Sequence, residues 1–177
     1  MTVGNGSPSY ESNGINNNPT IRYEKSNSDQ HTVTFGASVG QPADVFIVGQ
    51  LVTNSGSSDG SLFGDPSETM YVRSGDSDAW ELYAGGSLLS GSSPDTNPHV
   101  YTTRLDGANS VFYIDGSSDL SGNAGANGLN GLVIANRSGD DQQGDLRTGQ
   151  ILVYNPDAPG YNRSDVRNYL VDGWGPF

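Results

Sequence analysis

The residues in this sequence best suited to chemistry are aspartates, and two groups of them fall in polar, glycine-containing segments. Asp76 and Asp78 lie two positions apart, and Asp140 and Asp141 are followed by Asp145. Ca²⁺ takes roughly six to eight oxygen ligands from flexible loops of this kind. Both groups are therefore candidate calcium ligands. Because carboxylates are abundant along the whole chain, a solvated acidic loop is the favoured alternative.

Nucleophilic catalysis is poorly supported. Residues 56–60 match the Gly-x-Ser-x-Gly pattern of a nucleophile elbow, but that elbow needs a helix directly after it and no helical pattern follows. His31 lies in a predicted strand and His99 opens another, and neither has a partner at a recognisable spacing. Both histidines are predicted to be structural or surface residues rather than general bases.

Three aromatic residues are candidates for stacking against sugar rings. Trp80, Tyr83 and Tyr101 all lie in predicted strands. Aromatic side chains at strand spacing are ordinary packing residues, so the sequence favours a place in the core or on a sheet surface for all three.

The charge balance restricts the partners. The chain has a net charge of -12, with sixteen aspartates and seven arginines but a single lysine, Lys25. Such a surface repels nucleic acid and anionic lipid. An acidic, lysine-poor composition is typical of proteins from extreme halophiles, because molar salt screens the self-repulsion; a merely acidic extracellular domain is the alternative. The sequence has no cysteine and no apolar run long enough to span a membrane.

The elements that must position these residues are predicted to be mostly strands. Residues 131–135 and 150–154 are apolar runs between turn residues, typical of buried core strands, and we expect them to adjoin. Residues 45–48 predict a central strand. Hairpins are predicted from residues 70–83 and from residues 100–114, whose Asp-Gly supplies turn chemistry.

A single helix is predicted near the end of the chain. Asn162 is a suitable N-cap, Val166 and Leu170 share a face, and Gly173 stands where a left-handed terminating residue belongs. About ten strands and one helix indicate two packed antiparallel sheets.

An ordered set of segments resembles the concanavalin A-like or laminin-G-like jelly roll. The set is HVYTTRLDGANSVFYIDG from His99, then GLNGLVIANR, TGQILVYN and RSDVRNYLVDGWG, within a match over about residues 19–175. Gln150 departs from the usual Glu, and Asp172-Gly173 replaces the usual basic pair. The resemblance implies an all-β, two-sheet antiparallel jelly-roll sandwich with one short C-terminal helix. Residues 1–18 are rich in Gly, Asn and Ser and lack periodicity, so they are predicted to form an extended arm before one jelly-roll domain at residues 19–177.

The resemblance does not fix a function, since its members include lectins, adhesion modules, glycan-cleaving enzymes and virion surface proteins. Laminin-G-like domains often bind Ca²⁺ at a sheet rim, which points again to the aspartate groups. Hydrolases of this fold carry a Glu-x-Asp-x-x-Glu motif, to which none of the glutamates belongs: Glu11, Glu24, Glu68 and Glu81. We therefore expect a protein that is not an enzyme.

The leading hypothesis is a structural protein on the virion surface of a virus that infects a halophilic archaeon. The chain begins with Met and shows no export signal, which suits a capsid decoration, turret, tail or fibre component assembled inside the cell. Its partners would be other virion proteins, further copies of itself and host surface glycans, and the arm at residues 1–18 would dock onto a neighbouring subunit. The alternative is an extracellular carbohydrate-binding or adhesion module of a secreted halophile protein.

Overall fold

The computed structural model of the chain describes residues 2–3, 6–53, 60–67, 69–74, 79–136 and 143–177. These residues form strands, one 3₁₀ turn at Lys25–Asn27 and one α-helix. In chain order the elements are β1 Thr2–Val3, β2 Ser9–Ile15, β3 Asn18–Tyr23, β4 His31–Val39, β5 Ala43–Leu51, β6 Gly60–Gly64, β7 Tyr71–Ser74, β8 Trp80–Tyr83, β9 Leu89–Ser90, β10 Pro98–Leu105, β11 Ser110–Ile114, β12 Ser117–Gly122, β13 Leu129–Ile134, β14 Leu146–Tyr154 and α1 Arg163–Trp174.

The strands form two sheets of seven, each paired antiparallel between neighbours. Sheet I has the order β1-β4-β13-β6-β7-β8-β9, and sheet II has the order β12-β11-β10-β5-β14-β3-β2. Neighbours in these orders are often far apart in the chain, as in a jelly roll. The sequence prediction of a two-sheet antiparallel sandwich with one C-terminal helix is confirmed.

Local sequence explains the framework of sheet II. The apolar run of β5 becomes the central strand, and almost all of its residues are buried, as continuous apolarity predicts. The predicted hairpin is β10 with β11, in register from Tyr101 opposite Ile114 to Arg104 opposite Val111. Asp115 and Gly116, both with positive φ, then turn the chain into β12, which matches the twist of a tight hairpin.

The core between the sheets is built around aromatic side chains. Trp80 of β8 lies 5.1 Å from Tyr101 and 5.3 Å from Phe112 between ring centroids, and all three are buried. Trp80 comes from sheet I, whereas the other two come from sheet II. The three rings therefore join the sheets, at separations typical of favourable aromatic pairs.

The sequence predicts that the apolar runs at residues 131–135 and 150–154 adjoin, and this prediction is wrong. They belong to β13 in sheet I, between β4 and β6, and to β14 in sheet II, between β5 and β3. Their inner side chains line opposite walls of the sandwich, as Ile134 and Ile151 do. Apolarity predicts burial but not which sheet a strand joins, because pairing is decided by distant residues.

Helix α1 lies on the outer face of sheet II. Its Val166, Leu170 and Trp174 pack against Phe46 and Val48, so the predicted apolar face is confirmed.

Gly149 and Gln150 seat the end of α1. A Cβ at Gly149 would come within 2.2 Å of the Trp174 ring, so glycine is needed for this close approach. Gln150, which replaces the usual Glu of the resemblance, accepts a 3.3 Å hydrogen bond from Trp174 Nε1. The helix end was predicted wrongly. Gly173 lies inside α1, and the positive-φ residue after the helix is Gly175.

The predicted N-terminal arm contains strands of both sheets. β1 pairs with β4 in sheet I, and β2 pairs with β3 at the edge of sheet II. Docking of residues 1–18 onto another subunit stays a prediction. Within the described ranges, α1 is twelve residues long and no helix has the length and apolarity needed to cross a membrane.

Candidate functional site

Most of the residues predicted to bind calcium lie outside the described part of the chain. These residues are Asp76, Asp78, Asp140 and Asp141. Residues 56–59 of the Gly-x-Ser-x-Gly pattern also lie outside the described part. Among the described residues, no group of three or more His, Asp or Glu side chains is arranged to hold a metal ion.

Asp145 is described, and its carboxylate already has protein partners. Oδ1 accepts a 2.9 Å hydrogen bond from the backbone N–H of Lys25 and lies 3.4 Å from Arg22 Nη2, while Oδ2 accepts a 3.0 Å bond from Thr53 Oγ1. Burial opposes ionisation, but these hydrogen bonds outweigh it and lower the pKa of Asp145. The side chain therefore ties the start of β14 to the loops after β3 and β5, and calcium binding by the group stays a prediction.

The histidines are engaged in structural hydrogen bonds. His99 has Nδ1 2.6 Å from Asp115 Oδ2 and Nε2 2.9 Å from Asp95 Oδ1, so both ring nitrogens are occupied. His31 Nδ1 lies 3.0 Å from the hydroxyl of Tyr23. A general base needs a ring nitrogen free to face a substrate, which His99 lacks in this structure, and these contacts agree with its predicted structural role.

Two glutamates, Glu11 and Glu81, form ion pairs with arginines, and the two pairs lie in different sheets. Glu11 on β2 accepts a 2.6 Å bond from Arg147 Nε, which lowers the pKa of its carboxyl. Glu81 on β8 is buried and lies 2.8 Å from Arg73 Nε on β7. Glycoside hydrolysis instead uses two carboxyl groups facing one bond, with one of them protonated.

The aromatic residues named from sequence are mainly core residues. Trp80 and Tyr101 are buried between the sheets, which confirms the packing interpretation for both. Tyr83 is half-buried on sheet I and stacks on Tyr71 at 5.3 Å.

A different pair of tyrosines forms a surface cleft. The Tyr154–Tyr161 cleft has a volume of about 260 Å³ and lies where β14 ends and α1 begins, lined by Tyr154, Ala158, Pro159, Gly160, Tyr161, Asn162, Asp165 and Val166. The centroids of the two rings are 5.5 Å apart and their planes are inclined by 38°, so the rings pack against each other and form one apolar surface. Tyr154 is 37% exposed. The cleft therefore combines aromatic walls with the carboxylate of Asp165.

The loop between the tyrosines is held by its own turn chemistry. Asn155 Oδ1 accepts a 2.9 Å bond from the N–H of Asp157, and the carbonyl of Ala158 accepts a 3.1 Å bond from Tyr161 N–H. The Asn162 side chain accepts a 3.0 Å bond from Ser164 N–H and caps α1, as predicted. Bonds within the loop thus fix the separation of the two rings before any ligand arrives.

A buried carboxylate anchors the cleft from beneath. Asp44 lies on β5 directly opposite Tyr154 and is fully buried. Its Oδ2 accepts hydrogen bonds from the Tyr161 hydroxyl and from Arg163 Nε, the latter at 3.1 Å. Burial and this contact raise the pKa of the Tyr161 hydroxyl. The Arg163 guanidinium lies 4.5 Å from the centre of the Tyr113 ring, which completes a rigid support for Tyr161.

Sequence reasoning did not select Tyr154 or Tyr161. The available signal was their position on either side of a loop with two prolines, at residues 155–160. That spacing shows that the chain reverses between the two residues. It does not show that the rings end up beside each other, which depends on the docking of α1 on sheet II.

Comparisons with solved structures agree on the fold. Domain 4 of AbnA, a GH43 extracellular arabinanase from Geobacillus stearothermophilus solved in complex with arabinotriose, matches with a TM-score of 0.60 at 11% identity, over 85% of this chain and 76% of that one. The cellulose-induced protein Cip1 matches with a TM-score of 0.62 at 8% identity, over 86% and 87% of the two chains. Trypanosoma rangeli sialidase in complex with the inhibitor DANA matches with a TM-score of 0.58 at 13% identity.

These likenesses define the class of the protein as a jelly-roll β-sandwich. Identities this low show the fold alone. The match covers 94% of this chain but only 28% of the sialidase chain, so the chain corresponds to a part of that enzyme. No family model matches the sequence, and no curated protein matches it.

Proposed function

We propose that the protein is a carbohydrate-binding module that holds a neutral oligosaccharide in the Tyr154–Tyr161 cleft. The observation that carries this proposal is the exposed Tyr154 ring, which lies beside the half-buried Tyr161 ring and Asp165 in one cleft. Sugar rings have apolar faces that pack on aromatic rings, while their hydroxyl groups donate hydrogen bonds to carboxylates. The cleft offers both kinds of contact over the length of one or two sugar units.

Preorganisation supports the same function. Tyr161 is held by Asp44, and Tyr154 packs edge-on against the buried Phe46 at 6.0 Å. Rigid aromatic walls lose little conformational entropy when a ligand binds. The similarity to domain 4 of the arabinanase, which was solved with arabinotriose, is a further reason to test a short neutral oligosaccharide first.

Charge favours a neutral sugar over an acidic one. Asp165 lines the cleft, Asp157 is exposed in the loop, and the chain carries a net charge of -12. An anionic sugar would be repelled by this field and would face a carboxylate in the cleft. The proposal therefore selects neutral pentose or hexose oligomers rather than uronic or sialic acids.

The proposed role is non-enzymatic and extracellular. It corresponds to the alternative drawn from the sequence, not to the leading virion hypothesis. Nothing in the fold or in the compared structures supports a viral or halophilic origin, and virion partners and self-association stay predictions.

The test is a binding measurement with and without the exposed ring. Arabinotriose and a panel of neutral and acidic oligosaccharides are titrated into the protein by calorimetry. We expect a selective neutral ligand, and we expect Tyr154→Ala to weaken its binding by roughly five- to tenfold, since an aromatic contact of this kind contributes about 1 to 1.4 kcal/mol.

The matched control is Tyr10→Ala, because Tyr10 is a tyrosine of sheet II that is 69% exposed and lies outside the cleft. It should leave the affinity unchanged. Circular dichroism and thermal unfolding establish that both variants are folded. The proposal is overturned if no neutral oligosaccharide binds, or if folded Tyr154→Ala binds as tightly as the wild type.

A further inference from the structure

A second cavity lies between the two sheets, on the side away from the aromatic core. This inter-sheet cleft has a volume of about 360 Å³. Its walls come from β3 and β14 of sheet II and from β4 and β13 of sheet I, and they are mainly apolar: Ile21, Val33, Phe35, Leu132, Ile151 and Val153. The two strands of sheet II therefore face the two strands of sheet I across a space that their side chains do not fill.

The edge strand β2 of sheet II does not line the cleft. This strand has two apolar residues. Ile15 packs with Phe46, Val48 and the apolar face of α1, and Tyr10 is 69% exposed. The remaining residues of the strand are Ser, Glu, Asn and Gly. Neither apolar residue of β2 closes the gap between the sheets. Ile21, Phe35, Ile151 and Val153 stay half-buried rather than buried.

The polar groups of the cleft are already bonded to each other. The Tyr23 hydroxyl shares a side-chain hydrogen bond with Thr148 and lies 3.0 Å from His31 Nδ1. Tyr23 and Thr148 are both buried, and burial raises the pKa of Tyr23 to about 12, so its hydroxyl stays neutral. The cleft thus provides no charged or unpaired group among its lining residues to meet an ionic ligand.

We infer that the inter-sheet cleft binds an uncharged apolar small molecule of about ten carbon atoms, such as a decyl chain or a two-ring aromatic. An apolar cavity of about 150 Å³ already accommodates benzene, and small-molecule pockets begin at about 300 Å³ with mainly apolar walls. A peptide strand or helix does not fit this space, because it would bring backbone polar groups that the walls cannot satisfy. The ligand is therefore a small molecule.

This site is separate from the proposed carbohydrate cleft. The inter-sheet cleft is lined by inner side chains such as Val153, whereas the next residue, Tyr154, contacts Phe46 and Tyr161 on the outer face of sheet II. Binding at one site does not require the other. Failure of the oligosaccharide titrations therefore leaves this inference standing, and the reverse also holds.

The test uses the neutral two-ring fluorophore naphthalene and its displacement by ten-carbon competitors. We expect one probe per chain, with displacement by decanol but little by decanoate or decyltrimethylammonium, whose charges would have to be desolvated. Val33→Phe on β4 and Val153→Phe on β14 each place a ring in the cleft. Each should weaken probe binding by on the order of tenfold, because the ring takes up about the volume of a benzene site.

Leu88→Phe is the matched control, since Leu88 is 48% exposed and lies outside the lining. It should bind the probe as the wild type does. Because the filled variants add bulk to open space, their thermal unfolding midpoints should not fall, which separates loss of the site from loss of the fold. The inference is overturned if the probe does not bind, if folded Val33→Phe and Val153→Phe bind it normally, or if decanoate competes as well as decanol.

Discussion

His99 shows how single residues join distant parts of this fold. It lies on β10 between Asp95, in the preceding loop, and Asp115, in the turn from β11 to β12. Burial lowers the pKa of the imidazole, but the hydrogen bonds and charges of Asp115 and Asp95 outweigh burial, so the pKa of His99 is raised overall. The protonated ring then makes a charge-assisted bond to each carboxylate.

This arrangement predicts a pH-dependent stability. Because the folded pKa lies above the unfolded value near 6.5, the folded state retains a proton that the unfolded state releases. The stabilisation is complete below the unfolded pKa and is lost as the pH rises through the folded pKa. At about pH 5.5, His99→Gln should lower the free energy of unfolding by about 2 kcal/mol, and at about pH 8.5 by clearly less.

Urea unfolding at the two pH values measures the difference. The pKa of His31 is lowered mainly by burial, so His31 makes the free energy of unfolding change with pH in the opposite direction. This contribution is the same in the wild type and in His99→Gln, so the difference between the two proteins reports on His99. An equal loss of stability at both pH values would contradict the assignment of the proton to His99.

At the scale of elements, the sequence predicts the start and the apolar face of α1 correctly but places its end at the wrong glycine. Its N-cap and apolar face follow from local sequence, but both Gly173 and Gly175 are plausible terminators. The structure keeps Gly173 helical, with nothing within 4 Å of the position that a Cβ would take there, whereas Gly175 has φ 92°. The helix extends to Trp174 because that ring docks on Gly149 and Gln150.

The two glycines should respond to alanine with opposite signs. Gly173→Ala should raise the free energy of unfolding by about 0.5 to 1 kcal/mol, because alanine loses less entropy in a helix. Gly175→Ala should lower it by about 1 kcal/mol, because alanine is strained at positive φ. Chemical denaturation of the two variants side by side measures both effects. If Gly175→Ala instead raised the free energy of unfolding, it would contradict the positive φ at Gly175 and would favour Gly173 as the residue that ends the helix.

At the scale of the whole molecule, the dominant property is the net charge of -12. The compact state concentrates this charge, so self-repulsion destabilises it, and the Debye length falls from about 10 Å at 0.1 M salt to about 3 Å at 1 M. Screening of this kind is a property of the chain and is independent of the organism it comes from.

We therefore expect the thermal unfolding midpoint to rise by roughly 5 °C between about 0.05 M and about 1 M NaCl. Asp157→Asn combined with Asp172→Asn removes two exposed charges and should reduce the salt dependence. Differential scanning calorimetry over a salt series gives both slopes. A midpoint that does not move with salt, or a double variant with a steeper slope, would contradict the electrostatic explanation.

The sequence by itself determined the fold class. Alternation and apolar runs specify strands, the Asp-Gly turns specify hairpins such as β10 with β11, and Asn162 specifies the start of α1, because each depends on backbone preferences of a few neighbouring residues. The burial of Trp80 and Tyr101 follows from the same patterns. The structural role of His99 was also expected, although its partners were not.

Tertiary structure alone decided the sheet to which each strand belongs and the residues that form the clefts. β13 and β14 face each other across the sandwich instead of pairing, since their partners are chosen by contacts distant in the chain. Tyr154 and Tyr161 become one cleft only when α1 docks on sheet II and Asp44 fixes the second ring. The inter-sheet cleft is likewise lined by side chains from both sheets, on β3, β4, β13 and β14. Local preference cannot specify an enclosed space, because the space is defined by side chains from several strands at once.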